Sequence, residues 1–418
     1  MRRRPAPAAT ATGWGALTAL PALVAALALT ALAGASGCGR DRGLVLWHSY
    51  RAQERATLEA LAAEWTSRHP DAPLQLLAVP NETFADKITA AVPRGHGPDL
   101  MIFAHDRLGD WAEGRIVEPV EFYADEKLLD HYIRPVLDAL VYRDSLYGLP
   151  LSYKSTALFY NRRLVPKPPE TTEELLTLGR ALTNRKEGRF GLVYSANRLY
   201  FHAPWLHGFG GRVFAENGKL DLCNDGALKA LAFARTLSGP EGIVPAEVEG
   251  HLVAALFNDG RAAMAITGQW FLGEVKQGVD FGVAPLPRVT ETGLPAAPFL
   301  GVEGVMMSAY STRKAKAFEV MRFLASDEVA VRRALGARQS VANVAAYRDP
   351  RISGEPVLMA FRRQADTARP MPATPEMRMI WTPYDNAMQA ILVRNVDARA
   401  GLLEAEKEIT RYLKGAGR

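Results

Sequence analysis

Few residues in this chain have the types and spacing that chemistry requires. The clearest pair is Asp106-Arg107, which follows the strand-like run Asp99-Leu100-Met101-Ile102-Phe103. If that run belongs to a parallel sheet, the Ala104-His105-Asp106-Arg107 segment lies beyond a strand's carboxyl end, where such sheets place their ligands. Alone, the two charges read equally well as a surface ion pair of small energetic value. A glycosidase needs two carboxylates set across a scissile bond. Pairs such as Asp99 with Asp106, or Glu113 with Glu118, arise by chance among 45 acidic residues. No Gly-x-Ser-x-Gly elbow and no His-Glu-x-x-His site occurs. His105, His202 and His207 lack metal-ligand spacing and read as hydrogen-bonded structural residues. Gly208 to Gly211 lacks the Lys-Ser/Thr of a phosphate loop. The pattern points to binding without catalysis, metal or cofactor.

The amino-terminal segment sets the compartment. Arg2, Arg3 and Arg4 precede an apolar run from Ala16 to Leu32, and Ala35-Ser36-Gly37-Cys38-Gly39 follows. A basic start, an apolar centre and small residues describe an export signal over residues 1–37. Cys38 stands where the lipobox of bacterial lipoproteins, which this segment resembles, carries its lipid. The same stretch also suits a retained spanning helix, since no ionisable side chain lies between Arg4 and Cys38. In both cases the remaining chain faces away from the cytoplasm, on the periplasmic or extracellular side.

Composition narrows the class further. Without residues 1–37, 381 of the 418 residues remain, and the formal charge falls from +5 to +2. So weak a positive balance, with no basic block, excludes a nucleic-acid binder. A chain of this length normally forms two domains. With Cys38 committed to lipid, Cys223 has no disulfide partner.

The elements that would position these residues are α/β in character. Gly43 to Trp47 reads as a buried strand, and Leu58, Leu61, Ala62 and Trp65 form one apolar stripe on a helix from about Gln53 to His69. Leu74 to Val79, Phe84 to Val92 and Asp99 to Phe103 continue a β-α-β-α-β order, which implies parallel strands with crossover helices. Later strands are expected at Leu146 to Leu151, Thr156 to Tyr160, Phe190 to Tyr194, Ala262 to Thr267 and Gly301 to Ser308. Thr171-Thr172-Glu173-Glu174 is a capping box opening a helix through Leu182. Further helices are expected at Ala227 to Leu237, Lys314 to Leu324 and Leu402 to Leu413. Trp47, Trp65 and Trp111 are assigned to the core.

An ordered set of short motifs resembles the sugar-binding subunits of bacterial ABC importers, the maltose/maltodextrin-binding branch of the extracellular solute-binding proteins. It runs from Gly97-Pro98-Asp99-Leu100 and Asp106-Arg107 through Tyr160-Asn161, Gly210-Gly211, Glu216-Asn217-Gly218-Lys219 and Phe257 to Gly260. It continues with Ala263-Met264-Ala265-Ile266, Thr267-Gly268-Gln269-Trp270, Pro298 to Val302, and Met371-Pro372 leading to Trp381. The resemblance implies the type II periplasmic-binding-protein fold, with two α/β lobes, each a mostly parallel sheet flanked by helices. The lobes would comprise residues 38–153 with 303–350, and 154–302 with 351–418. Hinges are expected near Ser152 to Thr156 and Phe299 to Gly304.

The resemblance also implies a site. Sugars present flat C–H faces and a rim of hydroxyls, so they need aromatic platforms and paired polar groups. Asp106 and Arg107 fall where the family contacts hydroxyls, and Tyr200, Trp270 and Trp381 fall on its stacking positions. Other positions depart from the family. Arg51, Lys154 and Arg198 replace carboxylates, Ala52 replaces a basic residue, Phe103 and Leu272 replace two aromatic platforms, and Asp385 replaces an arginine. The three cations either meet a neutral sugar or water, or read an anion such as a sugar phosphate. The expected protein is a monomeric, lipid-anchored carrier that binds maltose, maltodextrin or a related oligosaccharide and delivers it to a membrane permease.

Overall fold

The computed structural model describes residues 43–245, 248 and 250–416. The export signal and Cys38 lie outside them. Residues from Gly43 onward form one compact unit, built on two sheets. Its strands are β1 (Leu44–His48), β2 (Leu74–Ala78), β3 (Leu100–Ala104), β4 (Gly148–Lys154), β5 (Thr156–Asn161), β6 (Phe190–Val193), β7 (Ala262–Gly268), β8 (Phe281–Ala284), β9 (Phe299–Met307), β10 (Ser340–Val341) and β11 (Arg369–Pro370). A short hairpin at Val141–Tyr142 and Ser145–Leu146 precedes β4, so the single strand expected over Leu146 to Leu151 is divided at Tyr147.

The first sheet runs β10-β4-β9-β3-β1-β2, with β11 beside β9; the second runs β8-β5-β7-β6. The architecture is the two-lobed α/β fold expected, but the sheets are mixed and not mostly parallel. β1 pairs in parallel with β2 and β3, as crossover helices require. β9 runs antiparallel to β3 and β4, and β5 is antiparallel to both β7 and β8. The chain's path explains the difference. β9 returns from the second lobe and enters the first sheet beside the carboxyl end of β3, with Glu303 opposite Ala104, so it must run the other way.

The helices used below are α1 (Ala52–Arg68), α2 (Asn81–Ala91), α3 (Thr172–Leu182), α4 (Leu199–Gly208), α5 (Asp225–Ser238), α6 (Lys314–Leu324), α7 (Asp327–Ala337), α8 (Trp381–Leu392) and α9 (Ala398–Ala416). Leu58, Leu61, Ala62 and Trp65 are all buried on α1, and the Trp65 indole N–H donates to Ala72 O at 2.9 Å. Trp47 and Trp111 are also core residues. α3 opens on its capping box: Thr171 accepts from Glu174 N, while the Glu174 carboxylate reaches back to Glu170 N at 2.8 Å. The first sheet packs in one apolar cluster with α1 and α6, and the second sheet has a separate cluster around Phe159, Trp205 and Phe257.

The chain crosses between sheets at Ser155, which separates β4 from β5 and is fully buried. It crosses back on entering β9. These two crossings coincide with the expected hinge segments. Among the described residues no helix is long and apolar enough to cross a membrane.

Candidate ligand-binding site

Where the two sheets meet, a cavity of about 480 Å³ is lined from both sides: by Ala52 and Glu54 at the start of α1, by Lys154, by Arg338 and Gln339, and by Gln269 and Trp270 after β7. A second cavity of about 450 Å³ lies against the starts of α4 and α8, with Arg198, Asp385 and Gln389 on its wall. Lys154 and Trp270 thus share one cavity and Arg198 lines the other, while Asp106, Arg107, Tyr200 and Trp381 line neither.

Trp270 is held up by its local sequence. Gly268 ends β7, and a Cβ at that position would stand 2.1 Å from Cζ3 of the Trp270 ring, so only glycine lets the indole fold back over its own strand. The residue remains 44% exposed, unusual for so large an apolar side chain. The Tyr200 ring lies 6.1 Å away at 47°, and burial raises its phenol to about 12. It is therefore neutral and available as a donor. Tyr200 and Trp270 form one continuous aromatic surface. Trp381 does not extend it by ring contact: its indole packs edge-on against Phe299 at 5.9 Å, half-buried at the start of α8.

Asp106 and Arg107 follow β3 in a single 3-10 turn. Their charges stand 3.9 Å apart, Arg107 Nε to Asp106 Oδ2, with about a third of each side chain exposed. Asp106 Oδ1 is buried with no hydrogen-bond partner. Burial raises the Asp106 carboxyl above its ordinary value, against the pull of His105 and Arg107. An orphaned carboxylate oxygen carries a desolvation cost that a ligand hydroxyl removes by donating to it.

Each of the three departing cations is committed within the protein. Arg51 Nη2 stands 3.1 Å from Glu82 Oε1, Lys154 Nζ donates to Glu303 Oε1 at 3.0 Å, and Arg198 Nη1 donates to Asp385 Oδ2 at 3.2 Å. Burial pulls the Lys154 ammonium down, but the Glu303 carboxylate more than offsets this, and its pKa is raised overall. Glu303 Oε2 also accepts from Ser152 Oγ at 3.0 Å, so both carboxylate oxygens are occupied. Glu54 is raised first by burial and then by the like charge of Glu303, and its Oε1 accepts from Gln339 Nε2 at 3.0 Å.

Sequence reasoning passed over Glu303, Glu54, Gln269 and Gln339. Only Glu303 carried a signal, a lone charge inside the otherwise apolar strand Phe299 to Met307. Gln269 Oε1 accepts from Ser155 N at 3.2 Å, and its Nε2 donates to Ser340 Oγ at 3.1 Å, which ties the residue before Trp270 to the crossover and to the first sheet.

The histidines divide. His105 Nδ1 accepts from Val302 N at 3.0 Å, so its Nε2–H donates to Met371 O at 2.8 Å, the structural role expected. His207 Nδ1 lies 2.6 Å from Ala297 O. His202 corrects the expectation: it is fully buried and neither ring nitrogen has a hydrogen-bond partner, with the Tyr384 ring at 6.5 Å. Burial lowers it to about 3, so it stays neutral. Cys223 is a free thiol.

Residues 49–331 match the sequence profile described as bacterial extracellular solute-binding protein. The chain belongs to that family. Such proteins bind solutes and are not a family of enzymes. The family member is 29% identical over 385 residues to a maltotriose-binding protein of Pyrococcus abyssi, covering 90% of this chain and 84% of the relative. It is 25% identical to a galactooligosaccharide-binding protein of Bacillus subtilis, covering 91% of each. Among solved structures it is similar to a cyclo/maltodextrin-binding protein complexed with maltotetraose, at 29% identity and a TM-score of 0.83, over 89% of this chain and 97% of that one. That likeness extends the solute-binding protein fold to both lobes.

Proposed function

We propose that this solute-binding protein captures a maltodextrin or a related short oligosaccharide outside the cytoplasm and delivers it to the permease of an ABC importer. The lobes are residues 38–153 with 303–350 and residues 154–302 with 351–418, closing as a monomer about the crossings at Ser155 and β9. The reading is carried by one observation: the half-exposed Trp270 lines a cavity walled from both lobes, and the Tyr200 ring stands beside it at 6.1 Å. Stacked rings of this kind suit the C–H faces of a sugar. Asp106 and Arg107 accept and donate at the hydroxyl rim, Trp381 offers a separate stacking ring, and Lys154 and Arg198 contribute donors while paired with their acids. A population shift follows, in which sugar held by one lobe gains contacts from the other and favours the closed form. Export and a lipid on Cys38 would keep the protein beside its permease.

A sugar phosphate is the weaker reading, because Arg51, Lys154 and Arg198 are each matched by a carboxylate. Isothermal titration of the mature protein with maltotriose, a galactooligosaccharide, trehalose, sucrose and a hexose phosphate tests the assignment. Heat with a neutral oligosaccharide is expected. A response to the phosphate alone, or to none of the panel, overturns it.

A further inference from the structure

Among the described residues six non-glycine residues have positive φ, and two of them, Ala52 at 43° and Arg338 at 53°, line the cavity between the lobes. Arg338 ends α7 in the left-handed conformation, its N–H donating to Arg333 O. Helices commonly end this way, but on glycine or asparagine, which carry little steric penalty there. Nothing in the helix cap calls for an arginine.

The surrounding residues explain where its side chain is sent. The next residue, Gln339, is buried and held at both ends of its amide, by Glu54 Oε1 at 3.0 Å and Arg333 Nη1 at 3.4 Å. Ser340 is paired with Tyr153 across β10 and β4 and accepts from Gln269 Nε2. The segment after α7 is therefore anchored on three sides, and the exposed Arg338 side chain, with no ion pair or hydrogen bond among the described residues, lines the same cavity as Trp270. Arg51 and Lys154 in the same cavity are already neutralised, so the Arg338 guanidinium is the cation there with donors to give. Strain kept at such a position is characteristic of functional sites, where stability is traded for binding.

We propose that Arg338 is a ligand-contacting residue that sets specificity, its planar fork donating in pairs to vicinal hydroxyls or to a glycosidic oxygen of a neutral sugar stacked on Trp270. Glu54, with one oxygen held by Gln339, is the facing acceptor. The inference rests on the carbohydrate reading above and adds the residue that grips the sugar from the first lobe.

Arg338→Gly and Arg338→Asn both relieve the left-handed strain and remove the guanidinium. Thermal unfolding of the ligand-free proteins and titration with maltotriose read the two effects separately. The unfolding midpoint should stay at or above that of the parent, while Kd rises at least about fivefold, as expected for loss of hydrogen bonds from a charged donor. A smaller rise in both variants overturns the inference, as does a midpoint lowered in both, which would make the arginine a prop of the fold. If the parent itself gives no heat with maltotriose, the carbohydrate reading falls first and this inference with it.

Discussion

Asp385 on α8 caps the start of α4 and neutralises Arg198 at the same time: Oδ1 accepts from Leu199 N at 2.7 Å and Oδ2 from Arg198 Nη1 at 3.2 Å. The helix lacks a capping side chain of its own at Arg198, so a neighbouring helix supplies the acceptor. Both residues were expected as departures from the resembling family, and in this chain the two charges meet each other.

Asp385→Ala should therefore cost stability as well as a surface charge. Loss of a helix cap is worth about 0.5–2 kcal/mol, and urea unfolding should show a loss in that range. Asp385→Asn, which keeps an oxygen for Leu199 N, should recover most of it.

Pairing of Arg51, Lys154 and Arg198 predicts little salt dependence. Binding steered by free cations weakens steeply with ionic strength, whereas a neutral sugar meeting paired charges should bind with less than about a threefold change in Kd between low and high salt. Titrations with maltotriose across a sodium chloride series check this. A steep decline would show that an anion is being read.

Asp106 predicts opposite effects on stability and binding. Its folded carboxyl is raised above the ordinary 3.8 by burial, so the folded state holds that proton more tightly than the unfolded chain does. The group therefore costs stability at neutral pH, and that cost fades as pH falls through the raised value toward 3.8. Asp106→Asn should give a ligand-free protein at least as stable as the parent near neutrality, with a flatter stability profile in acid. The same change should weaken sugar binding by roughly tenfold, since hydrogen bonds to charged acceptors contribute about 1.5–3 kcal/mol. Calorimetry of both proteins across pH, with and without sugar, measures the two effects.

Trp270→Ala should separate binding from folding. With 44% of the residue exposed, truncation should change unfolding free energy by less than about 1 kcal/mol. Affinity should fall about tenfold or more as the stacking surface is lost. Equal affinity in the variant would remove the aromatic platform from the account.

Local pattern made much of the fold legible. The stripe Leu58, Leu61, Ala62, Trp65 is buried as spaced, and Lys314 to Leu324 is a helix at both its expected limits. The direction of β9 was not legible, because it depends on which end of the sheet the returning chain meets. The site was read in part. Glycine-backed Trp270 and its neighbour Tyr200 come together, but Lys154 meets Glu303 149 residues away and Arg198 meets Asp385 187 residues away. No local spacing encodes such partners. His202 escaped for a related reason: its type suggests hydrogen bonding, and only the packed neighbours show that no partner is within reach.

The central claim is that a sugar is clamped between two lobes against Trp270 and Tyr200. A crystal structure of the mature protein grown with maltotriose tests it most directly. The account predicts density between the lobes, with a pyranose face about 4 Å from the Trp270 indole and a hydroxyl donating to Asp106 Oδ1. Maltotriose bound outside the cleft, or lodged in it away from both rings, would contradict it.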